Sequence, residues 1–340
     1  MNDKSGTYHG PLLLGETDYP EQIRQMVRPV LEKSRKTGYF KSFDGASLFY
    51  EYYKQPKELA TIVISHGFCE FTEKFEEVIY YFYQAGYSIY IHDHRGHGYS
   101  VREVEDKCKV YIKSYEVYIR DFYQFVTQIV SGEKSNKKLI LYAHSMGGAI
   151  AALFLERYPK IFDCAILSSP MFEMDCGRTP TPVVRLVMQY KKLIHREKEY
   201  VSGHHAFDGI PHFEESSCLS EARYRNIFSK RLQDEKYQTW GATCAWTLAS
   251  INAVRKLQRH AKRVKTPILL FQAGKDTTVK PGGQIRFSMR SENTELVLLS
   301  ASKHEIYNAT TEIRKQYYHR IFAFLEKQLS LYHTRSEVGI

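Results

Sequence analysis

Six short apolar runs, each β-branched or aromatic and bounded by turn residues, recur along the chain: A-T-I-V-I-S, S-I-Y-I-H-D, K-L-I-L-Y-A, C-A-I-L-S-S, P-I-L-L-F-Q and T-E-L-V-L-L-S. Runs of this length and composition read as buried strands. Between the first four, apolar residues fall three and four apart over Phe71 to Ala85, Ser114 to Val130 and Gly147 to Tyr158, which predicts helices. Strand and helix in alternation imply a mostly parallel sheet with helices on both faces, an α/β fold. Ahead of it, G-Y-F-K-S-F-D-G-A-S-L-F-Y-E-Y-Y alternates around Asp44 and Gly45 and predicts an antiparallel hairpin. Residues 19–36 read as a helix kinked at Pro29, and 310–330 as a closing amphipathic helix. The alternation stops between Pro170 and Pro267, a stretch too long for a simple loop, which predicts an inserted helical cap. The expected organisation is an N-terminal extension over 1–37, a core over 38–170 and 267–330, a cap over 171–266 and a tail over 331–340.

Composition adds bounds rather than a function. With 43% apolar and 25% charged residues in 340, the chain fits one α/β domain carrying an insertion. No run approaches the roughly 20 apolar residues of a membrane span, and the first residues lack the order of a secretion signal, so an intracellular, cytoplasmic protein is expected. Six scattered cysteines without C-x-x-C pairs read as small core residues. The net charge of +10 is concentrated: residues 178–200 hold six Lys or Arg against two Glu, and 255–265 hold six against none. Such patches fit peripheral contact with an anionic membrane, or else solvated helix faces. No nucleic-acid module is recognisable.

The stretch L-Y-A-H-S-M-G-G follows a predicted strand and opens a predicted helix. A sharp strand-to-helix turn projects the residue at its apex, here Ser145, out of the sheet. Ala143 and Gly147 supply the small residues needed where the two backbones pass close. The competing reading is a serine that merely caps a helix. A nucleophilic serine needs a histidine to take its proton and a carboxylate to orient that histidine, in the order serine, acid, histidine for this topology. Asp276 follows P-I-L-L-F-Q and His304 follows T-E-L-V-L-L-S, each at a strand's carboxyl end; Glu305 is the alternative acid. An oxyanion needs two backbone donors. The Met146 amide at the helix start is one, and the Phe68 amide is the other, turned inward through the freedom of Gly67.

The motifs S-H-G-F-C-E, D-H-R-G-H-G-Y-S, A-H-S-M-G-G, A-G-K-D and K-H-E-I, in this order from about Gly38 to Leu329, resemble the α/β-hydrolase family of monoacylglycerol lipases, bacterial lysophospholipases and serine-aminopeptidase-like hydrolases. The resemblance implies Ser145, Asp276 and His304 as the catalytic triad, with the Phe68 and Met146 amides as oxyanion donors. Cys69 and Phe71 depart from the family's H-G-x-G-E-H stretch, which bears on the pocket entrance. It implies no cofactor and no metal, and it accounts for Asp93 to Ser100 as a structural turn. His92, His94 and His97 could otherwise be read as metal ligands. His204, His205 and His212 read as loop residues and His144 as a packing residue.

Substrate choice belongs to the cap. Val183, Leu186, Val187, Tyr190, Leu193 and Ile194 share one helical face, with Arg185, Lys191 and Lys192 around it. That face either packs on its own domain or meets lipid chains. W-G-A-T-C-A-W-T-L-A-S-I-N-A-V, 240–254, resembles the corresponding cap segment of bacterial lysophospholipases. The resulting expectation is a serine esterase acting through a covalent acyl-enzyme on a single-chain lipid ester, a lysophospholipid or monoacylglycerol. Alternatives are a short-chain carboxylesterase, an aminopeptidase in which Glu214 and Glu215 would hold a substrate amine, and a non-catalytic ligand-binding relative. Oligomeric state is left open.

Overall fold

The structure is a computed structural model and describes residues 10–131 and 138–337. Its strands are β1 (Arg35–Lys41), β2 (Ser47–Tyr53), β3 (Thr61–Ser65), β4 (Ser88–His92), β5 (Lys109–Val110), β6 (Leu139–His144), β7 (Cys164–Ser168), β8 (Gly241–Ala242), β9 (Ile268–Ala273) and β10 (Thr294–Leu299). Eight form one sheet in the order β1-β2-β4-β3-β6-β7-β9-β10. β1 and β2 pair antiparallel, as does β2 with β4, and every other pairing in that sheet is parallel. All six apolar runs are strands of this sheet, and the expected hairpin is β1–β2, closed where Gly45 takes φ 81°.

The period of two explains why both faces are covered. In β6, Leu141 and Ala143 join a core with helices Tyr115–Phe125, Met146–Arg157 and Cys244–His260, while Ile140 and Tyr142 join one with helices Glu76–Gln84 and Thr311–Glu337. β7 divides likewise, Ala165 and Leu167 against Cys164 and Ile166. Fully apolar strands are thus the consequence of burial on two sides.

The N-terminal helix differs from expectation in a way proline explains. It runs as Tyr19–Gln22, a π-turn at Ile23–Val27 and Arg28–Glu32, ending before β1 rather than at 36. Pro29 has no N–H to give and crowds the carbonyl four residues back, and the Arg28 amide bonds to the Ile23 carbonyl in the wider turn. This extension is fastened by a buried charge cluster. Arg223 donates to both Glu77 oxygens at 2.8 Å, to Glu16 at 2.7 Å and to the Leu14 carbonyl at 3.1 Å. Arg314 donates to Glu77 and, at 3.0 Å, to the same Leu14 carbonyl, and the Tyr19 hydroxyl donates to Glu77. Burial alone would raise the Glu77 carboxyl, but the two guanidiniums outweigh it and hold it below its ordinary value.

Between β7 and β9 the chain leaves the sheet. Helix Thr181–Leu193 turns Met188 and Val184 inward against Cys244 and Leu248, while the apolar face read from sequence points out: Leu186 is 67% and Leu193 76% exposed. Helix Glu221–Gln233 carries Arg223 into the cluster just described. Helix Cys244–His260, capped by the Thr243 hydroxyl, buries Trp246, Ala249, Ala253 and Leu257 in the core. β5 and β8 tie this return to the loop after β4; pairs of residues are too short to show a period in sequence. Among the described residues no helix is long and apolar enough to cross a membrane.

Candidate active site

Ser145 stands between β6 and helix Met146–Arg157 with φ 51° and ψ −118°, a strained conformation for a residue with a side chain. The fold holds it there through both backbone groups: its amide donates to the Ser168 carbonyl at 3.1 Å, and its carbonyl accepts from Met171 and Gly148 at 2.9 Å. The turn tolerates only glycine beyond it, since a Cβ at Gly147 would lie 2.1 Å from the Ser65 carbonyl oxygen.

Two loops at the carboxyl ends of β9 and β10 complete the group. His304 Nε2 is 2.8 Å from Ser145 Oγ and its Nδ1 is 2.6 Å from Asp276 Oδ2. A carboxylate can only accept, so Nδ1 carries the hydrogen and Nε2 is left to accept the serine proton. The other Asp276 oxygen accepts from the Thr278 and Val279 amides at 2.8 and 3.0 Å. Burial opposes ionisation of Asp276, but the His304 contact and these amides outweigh it and hold the carboxyl below its ordinary value. Glu305 is turned elsewhere, toward Lys74 at 2.7 Å and the Asn308 amide.

The Hydrolase_4 family model, serine aminopeptidase S33, matches residues 56–311, three-quarters of the chain and all of these loops. The chain belongs to this hydrolase family. It is similar to lysophospholipase L2 of Escherichia coli strain K12, 29% identical over 79% of this chain and 81% of the relative. It is similar to the monoglyceride lipase of Mus musculus, 25% identical over 84% and 89%. Among solved structures, a soluble variant of monoglyceride lipase from Saccharomyces cerevisiae superimposes with a TM-score of 0.69 at 18% identity, covering 86% of this chain and 94% of the other. A carboxyl esterase from Bacillus coagulans gives 0.71 at 18% identity, over 87% and 99%. Both share the α/β-hydrolase fold.

In this hydrolase neither the Phe68 nor the Met146 amide donates a hydrogen bond to a described residue. The reading of Gly67 needs correction. It is required by space, not by a left-handed backbone: a Cβ there would lie 2.7 Å from Glu70 Oε2 and 3.1 Å from the Ser145 Cβ. The left-handed residue is Cys69, at φ 56°, where the family's motif has glycine. Its carbonyl accepts from Arg231. Phe71, the second departure, is buried and stacks on Tyr237 with ring centroids 4.0 Å apart. Both departures are therefore bonded or packed to the segment between β7 and β9, as is Phe68, whose ring lies 4.2 Å from that of Trp246.

A buried ionic chain links the two sides of the site. Glu70 accepts from the Gly67 amide, from the Tyr307 hydroxyl at 2.6 Å and from Lys74 at 2.8 Å, and Lys74 also pairs with Glu305, next to His304. Burial resists charge on Glu70, yet Lys74 and the other donors hold it far below the carboxylate range. Glu70 and Glu305 sit in motifs quoted from sequence, Glu305 as the alternative acid; Lys74 and Tyr307 gave no signal, because Glu305 is remote from Lys74 and Glu70 from Tyr307 in the chain.

The histidines that could be read as ligands are bonded or packed within the protein, His92 through ring contacts alone. His94 donates its amide to His66 Nε2 at 2.9 Å, and burial drives His92, His94 and His97 well below the ordinary histidine range. Asp93 accepts from the Thr72 and Tyr99 amides, and burial still pushes it up to about 7. A Cβ at Gly98 would lie 1.9 Å from Asp93 Oδ2, so this turn is built around the aspartate. His144 Nδ1 meets the Ser168 carbonyl at 3.1 Å and its ring packs on Tyr307. His204 accepts from the Ala242 amide, His205 lies on the Ala206 carbonyl and His212 faces Asp208. Among the described residues no group of three His, Cys, Asp or Glu is placed to hold a metal ion.

Proposed function

We propose that this hydrolase cleaves the ester of a single-chain lipid, a lysophospholipid or monoacylglycerol, through an acyl-enzyme on Ser145. The continuous relay from Ser145 Oγ through His304 to Asp276 carries the reading. Ser145 Oγ attacks the ester carbonyl as His304 Nε2 takes its proton; the carbonyl oxygen gains negative charge between the Phe68 and Met146 amides. His304 then returns the proton to the departing alkoxide, the C–O bond breaks and the alcohol leaves. Water repeats the sequence on the acyl-enzyme, giving the carboxylic acid and free serine. Asp276 keeps the productive tautomer and offsets the imidazolium charge.

The relatives' activities, named as lysophospholipase and monoglyceride lipase, support the lipid class. We assign 171–266 to a cap over the site, with 1–37 as an extension on a core of 38–170 and 267–330. The exposed apolar face of helix Thr181–Leu193, flanked by Arg178, Lys191 and Lys192, favours peripheral contact with an anionic membrane.

One observation supports a second reading, an aminopeptidase. Glu214 and Glu215 are exposed on a segment fastened beside the histidine loop: Lys303 donates to the Glu214 and Ser216 carbonyls at 3.1 and 3.0 Å, and the Glu305 amide to Ser217 at 3.0 Å. The deciding experiment is hydrolysis of lysophospholipids, monoacylglycerols, short-chain esters and aminoacyl amides by one preparation. A higher kcat/KM on monoacyl lipids supports the first reading, and a higher value on the amides replaces it with the second.

A further inference from the structure

A cavity of about 630 Å³ opens between helices Thr181–Leu193, Cys244–His260 and Pro281–Arg290, and none of Ser145, Asp276, His304, Phe68 or Met146 lines it. Its volume is that of a small-molecule site, for which roughly 300–1,000 Å³ is usual. The apolar lining is Met174, Pro182, Ile251 and Val254, the last two buried. Around it stand four arginines against one carboxylate, Glu173, which is committed to Arg286 at 2.7 Å. Arg185 is held by neutral groups, Asn252 Oδ1 at 2.9 Å and Gln189 Oε1 at 3.5 Å. Arg255 and Arg259 have no hydrogen-bond or ion-pair partner among the described residues.

The local alternative is that cations collect at the end of a helix, where its dipole favours them. That accounts for Arg259, in the last turn of helix Cys244–His260. It does not account for Arg255, further inside that helix, or for Arg185, which reaches the cavity from another. Elsewhere the protein satisfies the guanidiniums it gathers or buries: Arg223 and Arg314 share Glu77, and Arg95 is met by Asp121, Asp44 and Glu103. Here an apolar floor and a rim of uncompensated guanidiniums coincide, and guanidiniums pair well with carboxylate and phosphate oxygens.

We propose that this cleft is a second ligand site, for a single-chain amphiphile with an anionic carboxylate or phosphate head, the chain on Ile251, Val254, Met174 and Pro182 and the head among Arg185, Arg255 and Arg259. The ligand is bound there and not cleaved, so the site stands apart from the hydrolytic reading.

The test is calorimetric titration of the full-length protein, before and after blocking Ser145 with a fluorophosphonate, with dodecanoate, dodecyl phosphate, dodecanol and inorganic phosphate below micellar concentrations. Dodecanoate and dodecyl phosphate are expected to bind one per chain once Ser145 is blocked, and dodecanol and inorganic phosphate at least about tenfold more weakly. Arg255→Glu combined with Arg259→Glu should weaken dodecanoate at least about tenfold, while the double lysine variant stays within a few fold. These side chains are exposed, so both variants should keep the wild-type denaturation midpoint and short-ester turnover. Dodecanol binding as tightly as dodecanoate, inorganic phosphate matching dodecyl phosphate, an unchanged affinity in the glutamate variant, or loss of all binding on blocking Ser145 would each overturn the site. If Ser145 takes no label the hydrolytic reading fails instead, and the arginine variants of the unlabelled protein still decide the cleft.

Discussion

His304 Nε2 and Ser145 Oγ lie 2.8 Å apart although 159 residues separate them in the chain. The distance fits a hydroxyl donating to an unprotonated imidazole nitrogen. A fluorophosphonate should therefore label the wild-type protein once and leave Ser145→Ala unlabelled. Ser145→Ala and His304→Ala should each lower kcat by several orders of magnitude, and the double variant should lose little more, because a relay fails as a unit. Additive losses, or stoichiometric labelling of folded Ser145→Ala, would falsify the assignment.

Asp276→Asn should fold normally and lose most activity at neutral pH, since an amide can stabilise the wrong tautomer of His304. Stability carries a second signature. The folded carboxyl lies below its ordinary value, so the unfolded chain takes up the proton first as pH falls. The stabilisation is complete above the unfolded value of about 3.9 and is lost as pH drops through the lower folded value. Denaturation midpoints of wild type and Asp276→Asn should therefore converge in strong acid, and parallel curves down to pH 2 would show that Asp276 contributes no such term.

Gly147→Ala should destabilise the protein by about 3 kcal/mol or more, because its Cβ meets backbone that cannot swing away. Cys69 offers the opposite case. Relief of a left-handed conformation worth about 1 kcal/mol should make Cys69→Gly no less stable than wild type, while branched Cys69→Val loses stability. A urea midpoint for Cys69→Gly well below wild type would mean that the thiol's packing outweighs its backbone strain.

Much of this arrangement was legible in the chain because strands and elbow are local. β3, β4, β6, β7, β9 and β10 each announce themselves within six or seven residues, and Ser145, Asp276 and His304 each follow one. What stayed hidden joins distant segments. Arg223 with Glu77 and Arg314, and Lys74 with Glu305, do not announce their pairing until the fold buries them together. Cys69 was visible as a departure, but only its dihedral angle shows where the missing glycine's strain went.

The outward face of helix Thr181–Leu193 leads to a prediction about salt. Each basic residue near an anionic surface contributes about 1 kcal/mol, weakened by screening. Activity on lysophospholipid in anionic vesicles should fall steeply from low to high salt, while turnover of a soluble short-chain ester barely changes. Leu186→Asp with Leu193→Asp should reduce vesicle binding and leave the soluble ester unaffected. Equal salt dependence for both substrates would reject membrane contact.

The charge cluster at Glu77 also determines where the chain can be cut. The recognisable hydrolase motifs begin well after the first helix, and a shortened protein starting at Gly38 would retain every candidate catalytic group. It would also lose the Leu14 carbonyl, Glu16 and the Tyr19 hydroxyl, leaving Arg223 and Arg314 to share Glu77 in a cavity newly open to water. Since Arg223 is one of the residues that hold helix Glu221–Gln233, the damage would surface far from the cut, as a loosened helix beside unchanged candidate catalytic groups. For anyone trimming this enzyme for expression, residues 14–19 are the ones to keep with the rest.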